Sequence, residues 1–243
     1  MWNKIVSSPL AYLYLFIGVV VSIALGFVLG SKILLPILNV TVSYPVLFSL
    51  LKAGKRRQAL FSMLFWALCM AVVAVAATVH YPEQAEASIY RGTQYRAEMF
   101  AWIQTGAGRE GEPLRFIPQH LLHFVVFCLL SVFTASVLSL VMGSILMNYM
   151  SFYVGSLITA SDDAVMAALM GWHPWSIFRV VSFVILGIIL GEPMITIFSD
   201  DRNYDFSESR RLLWIALIGL ALDILLKAVL APWWGVALRS LIS

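Results

Sequence analysis

Between Pro118 and Ser199 the chain carries almost no charge, yet Asp162 and Asp163 stand side by side there, in LITASDDAVMAALMGWHPW. Two carboxylates this close cannot easily both stay ionised away from bulk water. One of them should therefore take up and release a proton, or exchange it for a cation. Glu192, Asp223 and Lys227 are the other charges embedded in apolar runs that draw attention. The sequence QHLLH sets His120 and His123 one helical turn apart. Two such imidazoles can share a metal ion if further ligands come from elsewhere, and otherwise serve as polar anchors. Enzyme signatures are missing: there is no H-E-x-x-H, G-x-S-x-G, phosphate-binding glycine loop or Cys-x-x-Cys. The two cysteines, Cys69 and Cys128, lie in apolar runs without disulfide or metal spacing. The sequence names no cofactor.

The elements that must position these residues are membrane helices. Apolar residues make up 61% of the chain and charged residues 12%, about half the charge of a soluble domain, so the fold class is all-α and polytopic. A span takes roughly 20 apolar residues. Seven are expected, at 10–30, 33–51, 58–79, 118–147, 150–171, 175–198 and 212–232, within a single membrane domain over 1–243. The second contains Pro36, Asn39 and Pro45 and is expected to kink. Dividing the long apolar stretch requires two cuts. His173-Pro174 gives one, because proline restricts the residue before it; the other is set near Asn148 and Tyr149. The polar segment 81–117 separates the third and fourth spans. Its middle repeats Tyr95, Met99, Trp102 and Ile103 at helical spacing, which fits an amphipathic helix lying in the membrane interface or an ordinary solvated loop helix.

Four of the sixteen basic residues fall in KAGKRR, Lys52 to Arg57. The positive-inside rule then sets that turn and the N-terminus in the cytoplasm, with 81–117 outside. The expected location is the inner, or plasma, membrane of a bacterium. With these spans, Asp162 and Asp163 fall at the middle of the fifth helix, Asp223 at the middle of the seventh and Glu192 in the inner half of the sixth, about 6 to 8 Å from the midplane. Each has a plainer reading. Ser161 before two acids is also a good helix N-cap, which would place the pair at a helix start. Asp223 and Lys227, four apart on one face, can neutralise each other. Glu192 precedes Pro193 and can mark a kink. Gly26 with Gly30, and Gly187 with Gly191, have the spacing of close helix contacts, including contacts with partner proteins.

Three functions follow from this pattern. Foremost is a transporter or channel-like permease for a cation, proton or cationic solute, using the midplane acids. The alternatives are a non-catalytic subunit of a larger secretion, conjugation or respiratory assembly, and an intramembrane enzyme using the histidines and acids. The partner that the composition implies is the lipid bilayer, with no nucleic acid.

Overall fold

The computed structural model describes residues 5–197 and 206–242. Among the described residues ten helices follow one another: α1 (Leu10–Leu29), α2 (Leu34–Lys52), α3 (Arg56–His80), α4 (Pro82–Ser88), α5 (Gly92–Thr105), α6 (Pro113–Phe133), α7 (Val137–Ala160), α8 (Ala164–Gly171), α9 (Pro174–Ile197) and α10 (Phe206–Arg239). Seven of them, α1, α2, α3, α6, α7, α9 and α10, are long and apolar enough to cross a membrane. In lipid every backbone group must bond within its own segment, which makes long apolar runs helical. The chain is a polytopic helical membrane protein.

The bundle has two ends, named here by what they carry. The basic end holds the Lys52–Arg57 turn between α2 and α3; the lid end holds α4, α5 and the loop before α6. At the core, α3 packs against α7, and α1 and α2 close around them, burying Leu15, Val19, Leu47, Leu50, Met63 and Met70. A polar ladder crosses this apolar packing. Ser22 donates to the side-chain oxygen of Asn39 at 2.8 Å, and the Asn39 amide donates to Ser144 at 3.0 Å. These bonds tie α1, α2 and α7, each worth about 0.6–2 kcal/mol between membrane helices. Asn39 therefore holds α2 in place, and the helix runs unbroken through Pro45.

Two differences from the sequence expectation bear on the site. The turn expected at Asn148 and Tyr149 lies instead at Thr134–Ser136, and α7 passes straight through Asn148, which is buried beside Ser144. The turn has neither proline nor glycine, because hydroxyls do the capping. Thr134 accepts from the Leu138 N–H, the Ser136 N–H donates to the Ser131 carbonyl, and the Ser136 hydroxyl donates to the Gly187 carbonyl on α9. Ala135 and Ser136 both take positive φ, 48° and 68°, a conformation held by that bonding. With the turn moved, α7 ends at Ala160, and Asp162 and Asp163 fall beyond it.

The second difference is α5. The amphipathic helix is present, and it turns Met99, Trp102 and Ile103 into the protein against Met150, Tyr153, Leu157, Trp175 and Leu238. The Arg239 Nε donates to the Ile103 carbonyl at 2.8 Å, so the far end of α10 holds the lid. The α10 helix thus extends well past the start of its neighbour α9.

Candidate functional site

Four segments bring charge together at the lid end. Arg179, on the first turns of α9, grips Asp223 of α10 side-on, with Nε to Oδ2 at 2.9 Å and Nη2 to Oδ1 at 2.8 Å. His120 of α6 sets its Nδ1 3.4 Å from Asp223 Oδ2, near contact without full hydrogen-bond geometry. One turn further along α10, Lys227 reaches Glu110 in the loop before α6, Nζ to Oε2 at 2.7 Å, and its ammonium lies 4.6 Å from the centroid of the Phe116 ring. The loop that lowers Glu110 into the bundle needs glycine: Gly106 and Gly108 have φ of 73° and 120°. Burial alone would raise the Glu110 carboxyl, but the Lys227 ammonium overrides it and holds the pKa at about 2. His173, at the entry to α9, is stacked on Trp175 at 4.8 Å; burial lowers its pKa to about 3, so the ring is neutral.

Below this cluster is a cavity of about 120 Å³ between α3, α6, α7 and α9. Its lid end is lined by Arg179, Glu110, His120, His123, Tyr95 and Tyr149. The rest is largely apolar, with Phe127, Leu140, Phe183 and Ile188 among the walls. The lining follows one face of α7 from Ser136 to Met150, about 21 Å at helical rise. Beyond the cavity's other end, on the basic side, comes a second buried ion pair. Arg56, at the start of α3, donates from Nε to Glu192 of α9 at 2.6 Å and from Nη1 to Glu208 of α10 at 2.7 Å. Glu192 lies four residues past Ile188, about 6 Å along the helix.

Comparison with protein-family models, with curated proteins and with solved structures finds no match.

The structure assembles only part of the site expected from sequence. Asp162 and Asp163 are exposed, and the Asp163 carboxylate accepts from the Met166 N–H at 2.9 Å as the N-cap of α8. A helix does start here, capped by Asp163 rather than by Ser161, and the pair lies past the end of α7 instead of inside a helix. Glu192 belongs to the basic-end pair. Asp223 and Lys227 share a face but do not neutralise each other: each takes a partner from another segment, Arg179 and Glu110. Asp223 does fall at the middle of its helix, and its partner Arg179 lies about 7.5 Å from the start of α9 at the lid end. His120 and His123 both line the cavity, but among the described residues no three His, Cys, Asp or Glu groups are placed to hold a metal. Gly26, Gly187 and Gly191 are buried against Leu35, Phe127 and Ser136 of this same chain, and Gly30, at φ 60°, ends α1.

Arg179 and Glu110 are the residues that the sequence reading passed over. For Arg179 the signal was present, since it is the one basic residue between Pro118 and Ser199, and a base in an apolar helix seeks a buried acid. Glu110 is one of five glutamates in its segment. Only the surrounding glycines, in GAGREGEP, separate it from the others.

Proposed function

We propose that this chain is a permease whose solute occupies the cavity, seated in a bacterial inner membrane with the basic end in the cytoplasm and the lid outside. What supports the reading is that the cavity lies between two layers of ion pairs, each joining segments distant in sequence and buried except at Glu208. Arg179–Asp223 and Glu110–Lys227 close the lid end; Arg56 with Glu192 and Glu208 closes the basic end. Buried pairs add little net stability because desolvation offsets their attraction. What they do well is hold two segments together in one arrangement and release them in another, as alternating closure around a central site requires. The cluster is charge-balanced, so it gives a bare cation no advantage, and the acids that would have formed a cation path are dispersed. The orientation rests on the basic turn.

The test needs no known substrate. Gly143 lines the cavity with open space where a side chain would start. A Gly143→Cys reporter, in a chain with Cys69 and Cys128 replaced by alanine, is exposed to a small impermeant methanethiosulfonate from either side of sealed vesicles. Labelling should be slow from both sides in the parent. Discharging the lid layer with Glu110→Gln and Lys227→Met should speed labelling from the lid side only; Arg56→Gln with Glu192→Gln should speed it from the basic side only. If neither pair of changes alters access from its own side, the permease reading fails.

A further inference from the structure

Two charged side chains of opposite sign line the lid end of the cavity, and each is backed by a counter-charge that does not line it. Arg179 has 24% of its side chain exposed, whereas Asp223 behind it has 2%. Glu110 has 15% exposed, whereas Lys227 behind it has 1%. The back partners leave one end of each group unused. Asp223 engages Nε and Nη2 of Arg179, and Nη1 makes no hydrogen bond to the described residues. Lys227 engages Oε2 of Glu110, and Oε1 likewise has no partner among them. Beside these groups the Tyr95 and Tyr149 rings lie 4.5 Å apart, faces that suit an ammonium. The walls beyond are apolar, and the volume of about 120 Å³ is of the order that holds one benzene-sized group.

We infer that the cavity binds a zwitterion carrying a single apolar group, its anion toward Arg179, its cation toward Glu110 and its apolar part between α6, α7 and α9. Such a ligand leaves the cluster balanced. A singly charged one would add an uncompensated charge to a low-dielectric site. This inference rests on the permease reading for what the cavity is for, but not for whether it binds. Two sources offer this chemistry: an apolar amino acid from water, whose side chain the cavity would hold whole, and a single-chain zwitterionic lipid from the bilayer, whose chain would extend beyond the cavity.

The experiment is calorimetric binding to the full chain in nanodiscs. One series uses L-phenylalanine, N-acetyl-L-phenylalanine and L-phenylalaninamide; the other uses lysophosphatidylethanolamine and lysophosphatidic acid. In one series the zwitterion should bind roughly tenfold to a hundredfold tighter than its singly charged analogues, the loss expected when a charged hydrogen-bonding group goes unmatched. Whichever series shows it identifies the source. Replacing Glu110 with Gln and Lys227 with Met together leaves no unpaired charge, and should erase discrimination against the analogue that lacks the cation while keeping that against the analogue that lacks the anion. Equal or tighter binding of the singly charged analogues in both series, or no binding of any probe, overturns the inference. Zwitterion binding with unchanged cysteine access would overturn the permease reading alone; altered access with no zwitterion preference would overturn only this one.

Discussion

At the residue scale, the buried ionisable groups at the lid end make stability depend on pH, and the sign can be worked out. The His173 ring is neutral in the fold, with a pKa lowered by burial to about 3 from the ordinary 6.5. Below pH 6.5 the unfolded chain takes a proton that the folded chain refuses. Stability is thus full above about 6.5 and falls as the pH drops toward 3, by at most about 1.4 kcal/mol per pH unit for this group. Glu110, held down to about 2 from 4.5, adds a second loss that begins only below about 4.5. Melting temperatures in detergent between pH 8 and pH 4 should therefore decline, mainly below pH 6.5. His173→Phe, which keeps the stack on Trp175, should make the limb between 6.5 and 4.5 shallower, and an unchanged slope there would remove His173 as a cause. His173 was legible in sequence only as a boundary before Pro174. Its chemistry depends on burial by Trp102, Tyr153 and Trp175, contacts between segments that no local pattern reveals.

At the scale of elements, composition and span length were enough to give seven membrane helices, since hydrocarbon leaves the backbone few alternatives. They could not place a turn made of hydroxyl caps within an apolar run, and that one boundary carried Asp162 and Asp163 from the middle of a helix to its rim. The Thr134–Ser136 turn fits only because Gly191 has no side chain: a Cβ there would collide with the Ser136 hydroxyl and come within 3.2 Å of the Ala135 carbonyl carbon. Gly191→Ala should destabilise by about 1–3 kcal/mol, the cost of overpacking. Gly143→Ala, with open space at its Cβ, should stabilise by about 0.5–1 kcal/mol through helix propensity. Unfolding in denaturant separates the two. A neutral Gly191→Ala would mean that the turn does not press on α9 as described.

For the molecule as a whole, orientation is the statement on which sidedness depends. Ala53 and Ala107 are exposed, one in the basic turn and one in the lid loop; they avoid the strain that a cysteine would meet at Gly54 and Gly106, both at positive φ. In intact cells Ala107→Cys should react with an impermeant thiol reagent and Ala53→Cys should not. The reverse result would invert the topology without changing the fold. The pairing of the site was the least legible part, because Arg179, Asp223, Glu110 and Lys227 come from three separate regions of the chain and find one another only through packing.

The length of α10 has a mechanical consequence. Near its start Glu208 meets Arg56, some 28 Å further along Lys227 meets Glu110, and at its far end Arg239 holds the lid. A single helix, continuous through Pro232, therefore touches both ion-pair layers. If it pivots near the Gly219–Ser182 contact with α9, where a Cβ would have no room, the motion that draws Lys227 away from Glu110 pushes Glu208 the opposite way. On the permease reading proposed above, such a tilt links the Glu110–Lys227 contact to the Arg56–Glu208 contact through one helix, while Arg56–Glu192 is the part of the basic-end layer that this helix does not touch.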